Sequence, residues 1–191
     1  IERTDNPNYL FVNLVIGKEA RPGELQLQFR RGTETLASHA YRLEPRRPGS
    51  AERRSFGAAD AIYLLMPDRF ANGNPANDQA GMLEGAERAN PVKRHGGDLA
   101  GMRAHLDYIR DLGFTMVWPT PVLENNQPSY SYHGYALTDY YKIDPRFGSN
   151  EEFRDYVAAA KAKGLGIIHD IVLNHIGPSH WWMRDLPARD W

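Results

Sequence analysis

The sequence has no cysteine, no long apolar run and almost no net charge. The absence of cysteine excludes disulfide scaffolds, thiolate metal sites and cysteine nucleophiles. No run approaches the roughly 18 apolar residues of a membrane-spanning helix, so we expect no membrane insertion. The 23 basic and 24 acidic residues give a net charge of −1, which argues against binding to nucleic acid or to an anionic membrane surface.

What is present is an ordinary globular composition. The 191 residues are 41% hydrophobic and 25% charged, which allows one or two domains. The first residue is Ile1, and the start shows neither an initiator methionine nor a signal peptide, so we expect a processed chain or a piece of a longer one. The compartment stays open between periplasm and cytoplasm, with a preference for the periplasm.

Residues 1–44 have the pattern of β-structure. An apolar run over 9–16 predicts one strand, and apolar residues that alternate with polar ones over 25–29 predict a second with one buried face. A weaker third strand is predicted over 36–43. Three strands are few for a β-sandwich, which usually carries about seven. We therefore expect the C-terminal part of a β-sandwich domain here.

The segment that follows is rich in proline and arginine, which predicts a linker over 45–57. The alternative is a basic patch for a polyanion. No aromatic residues lie between the arginines, so the linker interpretation is favoured. A second domain is then expected over 58–191.

The pattern from residue 61 onward predicts an α/β fold. Apolar runs at 61–66, 115–118 and 165–172 predict three strands, the first of them buried on both faces as in parallel sheets. Leu99, Met102, Leu106 and Ile109 recur at helical spacing, and Gly113 predicts the end of that helix. A capping box at 149–152 predicts a second helix that ends near residue 164. Strands that alternate with helices indicate a parallel sheet.

The loop after the first of these strands is a candidate cation site. Residues 72–78 contain four oxygen-bearing side chains together with glycine and proline. Such a set suits a hard cation that takes six to eight oxygen ligands. A turn built from Asn and Asp residues explains the same composition, so the residues alone leave both interpretations open.

Two further clusters are candidates for binding a polar substrate. Asp170, Asn174 and His175 stand at the end of the third predicted strand, on the rim where α/β barrels place their reacting groups. Residues 130–135 and 139–141 are dense in tyrosine, and flat rings stack on the apolar faces of sugars. The alternatives are a structural hydrogen-bonding role for the first cluster and a buried aromatic core for the second. The Ser, His and Gly between the tyrosines favour a sugar-facing pocket.

Four motifs in order give these residues a resemblance to a known family. Residues 66–73 (MPDRFANG), 95–99 (HGGDL), 132–135 (YHGY) and 170–175 (DIVLNH) resemble the α-amylase family, glycoside hydrolase family 13, and within it the cyclomaltodextrinase/neopullulanase group. The resemblance covers 58–191. It implies a fold that is α/β, the first part of a (β/α)8 TIM barrel, preceded by the end of an immunoglobulin-like β-sandwich domain.

The resemblance also implies roles for individual residues. Tyr135 matches the tyrosine that stacks under the sugar next to the scissile bond, and His133 and His175 match histidines that contact that sugar. Asp170 matches a supporting aspartate that holds a downstream arginine. The implied calcium site has six members: Asn72, Asn74, Asn77, Asp78, the carbonyl of Gly96, and Asp98.

The implied activity is retaining hydrolysis of α-1,4-glucans such as cyclodextrins, pullulan or maltooligosaccharides. This chemistry needs two carboxylates roughly 5–5.5 Å apart. The family's nucleophile lies in a Gly-x-Arg-x-Asp segment, which this sequence lacks, so no residue here is assigned as catalytic and the chain alone is expected to be inactive. The alternatives are a non-catalytic α-glucan binder and a cyclodextrin-forming glycosyltransferase. The expected partner is an α-glucan, and the oligomeric state stays open, with a dimer as one option.

Overall fold

The computed structural model describes residues 1–52 and 55–190. The chain divides into two compact units, Ile1–Ser55 and Phe56–Trp191, and the division lies inside the segment predicted as a linker. A short 3-10 helix, Ser50–Glu52, belongs to that segment. Arg53 and Arg54 of the predicted linker, and Trp191 at the end of the predicted second domain, lie outside the described residues.

The first unit consists of two antiparallel strand pairs. β1 (Glu2–Arg3) pairs with β2 (Leu10–Phe11), and β3 (Gly23–Arg31) pairs with β4 (Glu34–Leu43). The predicted strands over 25–29 and 36–43 are confirmed, but the predicted buried face of the first is wrong, since no residue of β3 is buried and Leu25 is 43% exposed. The predicted strand over 9–16 is wrong beyond Phe11, because its partner β1 is only two residues long. The apolar run that follows is not a core strand, since Val15 in it is 98% exposed.

The second unit is built on a parallel sheet in the order β5, β6, β7. These strands are Ile62–Leu65, Met116–Pro119 and Gly166–Ile167. Helices lie between them in the chain, which confirms the predicted α/β arrangement at the start of the domain. The α-helices are α1 (Pro67–Phe70), α2 (Leu99–Ala104), α3 (Leu106–Asp111) and α4 (Asn150–Ala162). Short 3-10 helices cover Pro75–Asn77, Ser131–His133 and Trp181–Met183.

The two faces of this sheet have different surroundings. Leu65 and Val117 are buried in the same core as the residues of α2, α3 and α4. Leu64 is 59% exposed, and its register partner Trp118 is also partly exposed. The prediction that residues 61–66 are buried on both faces is therefore wrong at Leu64, because neighbouring residues of a strand point to opposite faces and only one face is covered in the described part of the chain.

The predicted helical face of 99–109 is confirmed, since Leu99, Met102, Leu106 and Ile109 are all buried. The helix is nevertheless interrupted at His105. The ring Nδ1 of His105 lies 2.8 Å from the carbonyl oxygen of Gly101, the acceptor that the His105 backbone N–H would use in a regular helix. That N–H bonds to Met102 instead, at 3.2 Å, so the α-helical ladder restarts as a second helix.

The capping box at the start of α4 is confirmed. The Ser149 hydroxyl accepts the Glu152 N–H at 3.1 Å, and the Glu152 carboxylate accepts the Ser149 N–H at 2.7 Å. α4 has 13 residues. Over residues 1–52 and 55–190, no helix has the length and apolar character needed to cross a membrane.

The third strand is shorter than the predicted range of 165–172. The ladder ends where Ile168 donates to the carbonyl of Val117 at 2.9 Å. The next donor in a parallel register is the backbone nitrogen of Pro119, which carries no hydrogen, so the pairing stops there. Residues 170–175 consequently lie beyond the strand, in a segment free to turn toward the neighbouring loops.

Candidate functional site

Asp170 links three segments at the carboxyl edge of the sheet. Its Oδ2 accepts a hydrogen bond from the Trp118 indole N–H at 3.0 Å and another from the Tyr135 hydroxyl at 3.0 Å. Trp118 lies on β6, and Tyr135 lies in the loop that follows β6. Burial and the neighbouring carboxylate raise the pKa of the Tyr135 hydroxyl, so it stays protonated and keeps donating to Asp170.

His133 and Tyr135 form one aromatic unit. The backbone N–H of Tyr135 donates to Nδ1 of His133 at 2.9 Å, and the two rings stack with centroids 5.9 Å apart and planes inclined by 28°. Partial burial lowers the pKa of His133, although the negative charge of Glu84 opposes this. His133 is therefore neutral at pH 7, with its proton on Nε2.

His175 packs against the backbone of the same loop. Its Nε2 lies 2.9 Å from the carbonyl oxygen of Tyr135, and its Nδ1 lies 3.2 Å from the side-chain amide of Asn174. The carbonyl requires a proton on Nε2, and Nδ1 then accepts from the amide. The four residues predicted to bind or support substrate, Tyr135, His133, His175 and Asp170, are thus brought together by direct contacts around Tyr135.

An open cavity of about 900 Å³ continues from His175. Tyr140 forms part of its wall and donates its hydroxyl to the carbonyls of Val172 at 2.7 Å and His175 at 3.0 Å. These bonds fix the segment that follows β7. Trp181 and Trp182 also line the cavity, and the tyrosine and His-Asn patterns do not predict their contribution.

A buried ionic network, which the sequence patterns do not predict, contacts the segment before Tyr135 at Ser131. Arg146 donates to both carboxylate oxygens of Asp144, at 2.9 and 2.6 Å, and both side chains are almost fully buried. Arg94 is equally buried, 3.4 Å from the Asp68 carboxylate and over the ring of Phe147. Charged residues in loops are usually solvated, so a single sequence carries no signal for such a cluster.

The predicted cation loop brings several oxygen atoms together. The side-chain oxygens of Asn72 and Asn77 are buried without a hydrogen-bond partner. Asp78 accepts the Asn72 amide at 2.8 Å, and a methyl group at Gly96 would lie 2.6 Å from the Asp78 carboxylate, so the Gly96 backbone lies close against this pair. Unpaired buried amide oxygens beside a carboxylate fit a hard cation.

The other two predicted ligands also have structural roles. The Asp98 carboxylate caps α2 by accepting the Gly101 N–H at 2.7 Å, and it accepts the N–H groups of Gly73 and Asn74 at 3.0 and 2.7 Å. The Asn74 side chain caps the Pro75–Asn77 turn. In the parts of the chain that are described, no three His, Cys, Asp or Glu residues cluster as metal ligands, so a cation here would depend on amide and carbonyl oxygens as well.

Comparison with protein families gives two matches that follow one another along the chain. The model for "Alpha amylase, catalytic domain" matches residues 64–190, and the model for "Cyclomaltodextrinase, N-terminal" matches residues 1–47. The first match covers more than half of the chain and includes every candidate site residue. The second coincides with the β-structured first unit.

Individual relatives are similar over 60–75% of the chain. Neopullulanase 2 of Thermoactinomyces vulgaris is 42% identical over 129 residues, which cover 65% of this chain and 21% of that protein. A cyclomaltodextrinase of Geobacillus thermopakistaniensis is 41% identical over 116 residues, 60% of this chain and 19% of that protein. A cyclomaltodextrin glucanotransferase of Geobacillus stearothermophilus is 32% identical over 153 residues, 75% of this chain and 21% of that protein. The chain thus spans about a fifth of the length of these relatives.

Solved structures agree with these matches. The crystal structure of an Anoxybacillus α-amylase has a TM-score of 0.61 and 40% identity, covering 66% of this chain and 26% of that chain. A cyclic α-maltosyl-(1→6)-maltose hydrolase from Arthrobacter globiformis has a TM-score of 0.57 and 36% identity, covering 66% of this chain and 28% of that chain. Together with the family-model match over residues 64–190, these similarities show that the chain belongs to the α-amylase family, glycoside hydrolase family 13.

Proposed function

We propose that the protein hydrolyses α-1,4 linkages in cyclodextrins, pullulan or maltooligosaccharides by a retaining mechanism. The observation that carries this proposal is the set of contacts around Tyr135, whose ring stacks on His133 while its hydroxyl bonds to Asp170. Membership of the family and similarity to relatives named neopullulanase and cyclomaltodextrinase support the substrate class.

Each residue of this group has a role in binding one glucose unit. The ring of Tyr135 stacks on the apolar face of the sugar. His133 keeps its proton on Nε2, because Nδ1 accepts the Tyr135 N–H. The Nε2–H group then donates a hydrogen bond to a sugar hydroxyl. His175 borders the same sugar through its contact with the Tyr135 carbonyl.

Asp170 supports the site and is not the nucleophile. One of its oxygens already accepts two hydrogen bonds, from Trp118 and Tyr135, and this arrangement fixes the stacking ring. The nucleophile and the acid of a retaining glycosidase are two carboxylates roughly 5–5.5 Å apart. We assign neither to these 191 residues, so the group around Tyr135 provides binding and orientation.

The cyclodextrin-forming transferase is the second candidate, favoured by the 32% identity with a cyclomaltodextrin glucanotransferase.

To test the proposed hydrolysis, the full-length polypeptide that carries these residues is incubated with β-cyclodextrin, pullulan and maltotriose. Reducing ends and product anomers are then followed by proton NMR. We expect new reducing ends, first in the α-configuration. β-Configured products would contradict a retaining mechanism, cyclic products from linear glucans would favour the transferase, and binding without turnover would favour a non-catalytic binder.

We further propose that a calcium ion binds at the loop after β5. Asn72, Asn77, Asp78 and the carbonyl of Gly96 would hold it, with Asn74 and Asp98 completing the set. The buried, unpaired oxygens of Asn72 and Asn77 support this proposal. The ion would supply structural cross-linking between the 72–78 and 96–98 segments, because calcium accepts many oxygen ligands in flexible geometry.

A further inference from the structure

The sugar-contacting residues are carried by a short turn whose first residue is fully buried. Ser131 begins the 3-10 helix that contains His133, and Tyr135 lies two residues after His133. The backbone N–H of Ser131 donates to the Glu84 carboxylate at 2.7 Å. Its carbonyl oxygen accepts the side-chain amide of Asn125 at 3.0 Å. The start of the turn is therefore attached both to a side chain 47 residues earlier and to one six residues earlier in the chain.

Two arginines complete this attachment. Arg94 donates to the Ser131 carbonyl at 3.2 Å, and Arg146 lies 3.2 Å from the Ser131 hydroxyl. Arg146 also donates to the carbonyl oxygen of Glu84. The Glu84 carboxylate thus contacts the turn directly. The Glu84 backbone carbonyl contacts Arg146, which itself contacts the turn.

Every buried carboxylate in this region has a cationic partner. Two half-buried cations lie at the edge, with Lys93 3.6 Å from Glu84 and Arg69 3.6 Å from Asp68. The buried carboxylates are Asp68, Glu84 and Asp144, and the buried cations are Arg94 and Arg146. Removal of one charge leaves its opposite buried and uncompensated, which costs far more than loss of a surface ion pair.

The other end of the turn has no room to adjust. Gly134 has a φ of 88°, and a methyl group there would lie 2.1 Å from the carbonyl oxygen of Pro121. Tyr130, before the turn, adopts a left-handed conformation with a φ of 57°. A turn fixed tightly at both ends transmits any displacement of Ser131 to the rings of His133 and Tyr135.

We propose that Glu84 is a positioning residue for the sugar site. It acts through Ser131 to hold the turn that presents His133 and Tyr135, and this role rests on the proposed α-glucan function. Glu84 comes from the long loop after β5, whereas the turn follows β6, so the contact couples two loops of the carboxyl edge. Glu84 itself is buried and contacts no substrate in this arrangement.

The test is a double-mutant cycle in the full-length polypeptide that carries these residues, with β-cyclodextrin and maltotriose as substrates. Glu84→Gln keeps the shape of the side chain and removes its charge. We expect it to lower kcat/KM about tenfold when Tyr135 is present, and less than about twofold in the Tyr135→Ala background. Glu124→Gln is the matched control, because Glu124 accepts bonds from Thr138 and Lys142 and does not contact Ser131. It should leave kcat/KM unchanged.

A purely structural role for Glu84 would lower kcat/KM by the same factor in both backgrounds, and that result would overturn the proposal. If Glu84→Gln does not fold, Glu84→Asp is put through the same cycle, since it keeps the charge and shortens the side chain that reaches the Ser131 N–H. Hydrogen exchange supplies a readout that needs no substrate: Glu84→Gln should speed exchange at the amides of 132–135 and leave α4 unchanged. Unaltered exchange would refute the positioning role. Absence of α-glucan turnover in the wild type would refute only the proposed function.

Discussion

Replacement of Gly134 by alanine tests whether the turn that carries His133 and Tyr135 is fixed by close packing. Gly134 follows His133 and precedes Tyr135, and it has a φ of 88°. A methyl group added there would lie 2.1 Å from the carbonyl oxygen of Pro121, too close for any non-bonded contact. Gly134→Ala must therefore either shift the turn or displace the Pro121 backbone.

The magnitude follows from a comparison with Gly113. That glycine has a similar φ of 92°, but a methyl group there meets no atom of the described residues within 4 Å. Gly113→Ala thus costs only the left-handed conformation, about 1–2 kcal/mol. Gly134→Ala carries the same conformational cost and an overpacking cost of about 1–3 kcal/mol, so we expect a total of about 2–5 kcal/mol.

The assay is urea denaturation of both variants and of the wild type, followed by kcat/KM for maltotriose on the folded proteins. We expect the Gly134→Ala midpoint to fall further than that of Gly113→Ala. We also expect only Gly134→Ala to lower kcat/KM, because only that change moves the rings of His133 and Tyr135. Equal losses of stability in the two variants, or normal kinetics for Gly134→Ala, would refute the reasoning.

Two other predictions concern the cation loop and acid stability. Calcium that binds only the folded state at a hundredfold excess over Kd adds about 2.7 kcal/mol to the free energy of unfolding. Chelation should therefore lower the Tm of the wild type and have little effect on the Tm of Asn77→Ala. A wild-type Tm that chelation leaves unchanged would argue for an ordinary turn. Burial lowers the pKa values of His133, His169 and His180 below their usual value near 6.5. As the pH falls through that value, these histidines bind protons in the unfolded chain but stay neutral in the folded chain, so the free energy of unfolding should decrease. Urea midpoints between pH 7.5 and 5 should show this decrease, with a smaller slope for His169→Gln; midpoints that rise on acidification would contradict it.

The sequence predicted the elements whose pattern is local. The helical spacing of Leu99, Met102, Leu106 and Ile109 places all four in the core, and the capping box at Ser149 starts α4. The sequence did not predict where the pairing between β6 and β7 stops. The third strand ends early because the next donor would be Pro119 on a different strand, and that relation depends on register between strands rather than on the order of residues.

The candidate site shows the same division. The motifs of the resemblance predict that Tyr135 and Asp170 serve the same sugar subsite, and the structure places the Tyr135 hydroxyl 3.0 Å from the Asp170 carboxylate at the rim of the sheet. The supporting network was not predictable, because Glu84 contacts Ser131, 47 residues later in the chain. Nothing in the sequence around Glu84 distinguishes a buried carboxylate from a solvated one.

The central claim, that the residues around Tyr135 bind an α-glucan, is tested most directly by the kinetics of His175→Ala. His175 lies 2.9 Å from the Tyr135 carbonyl and borders the 900 Å³ cavity. The measurement is kcat/KM for maltotriose in the full-length polypeptide that carries these residues, with the urea midpoint recorded to confirm folding. The account predicts a decrease of roughly tenfold or more in a folded variant. A folded His175→Ala variant with the kcat/KM of the wild type would contradict it.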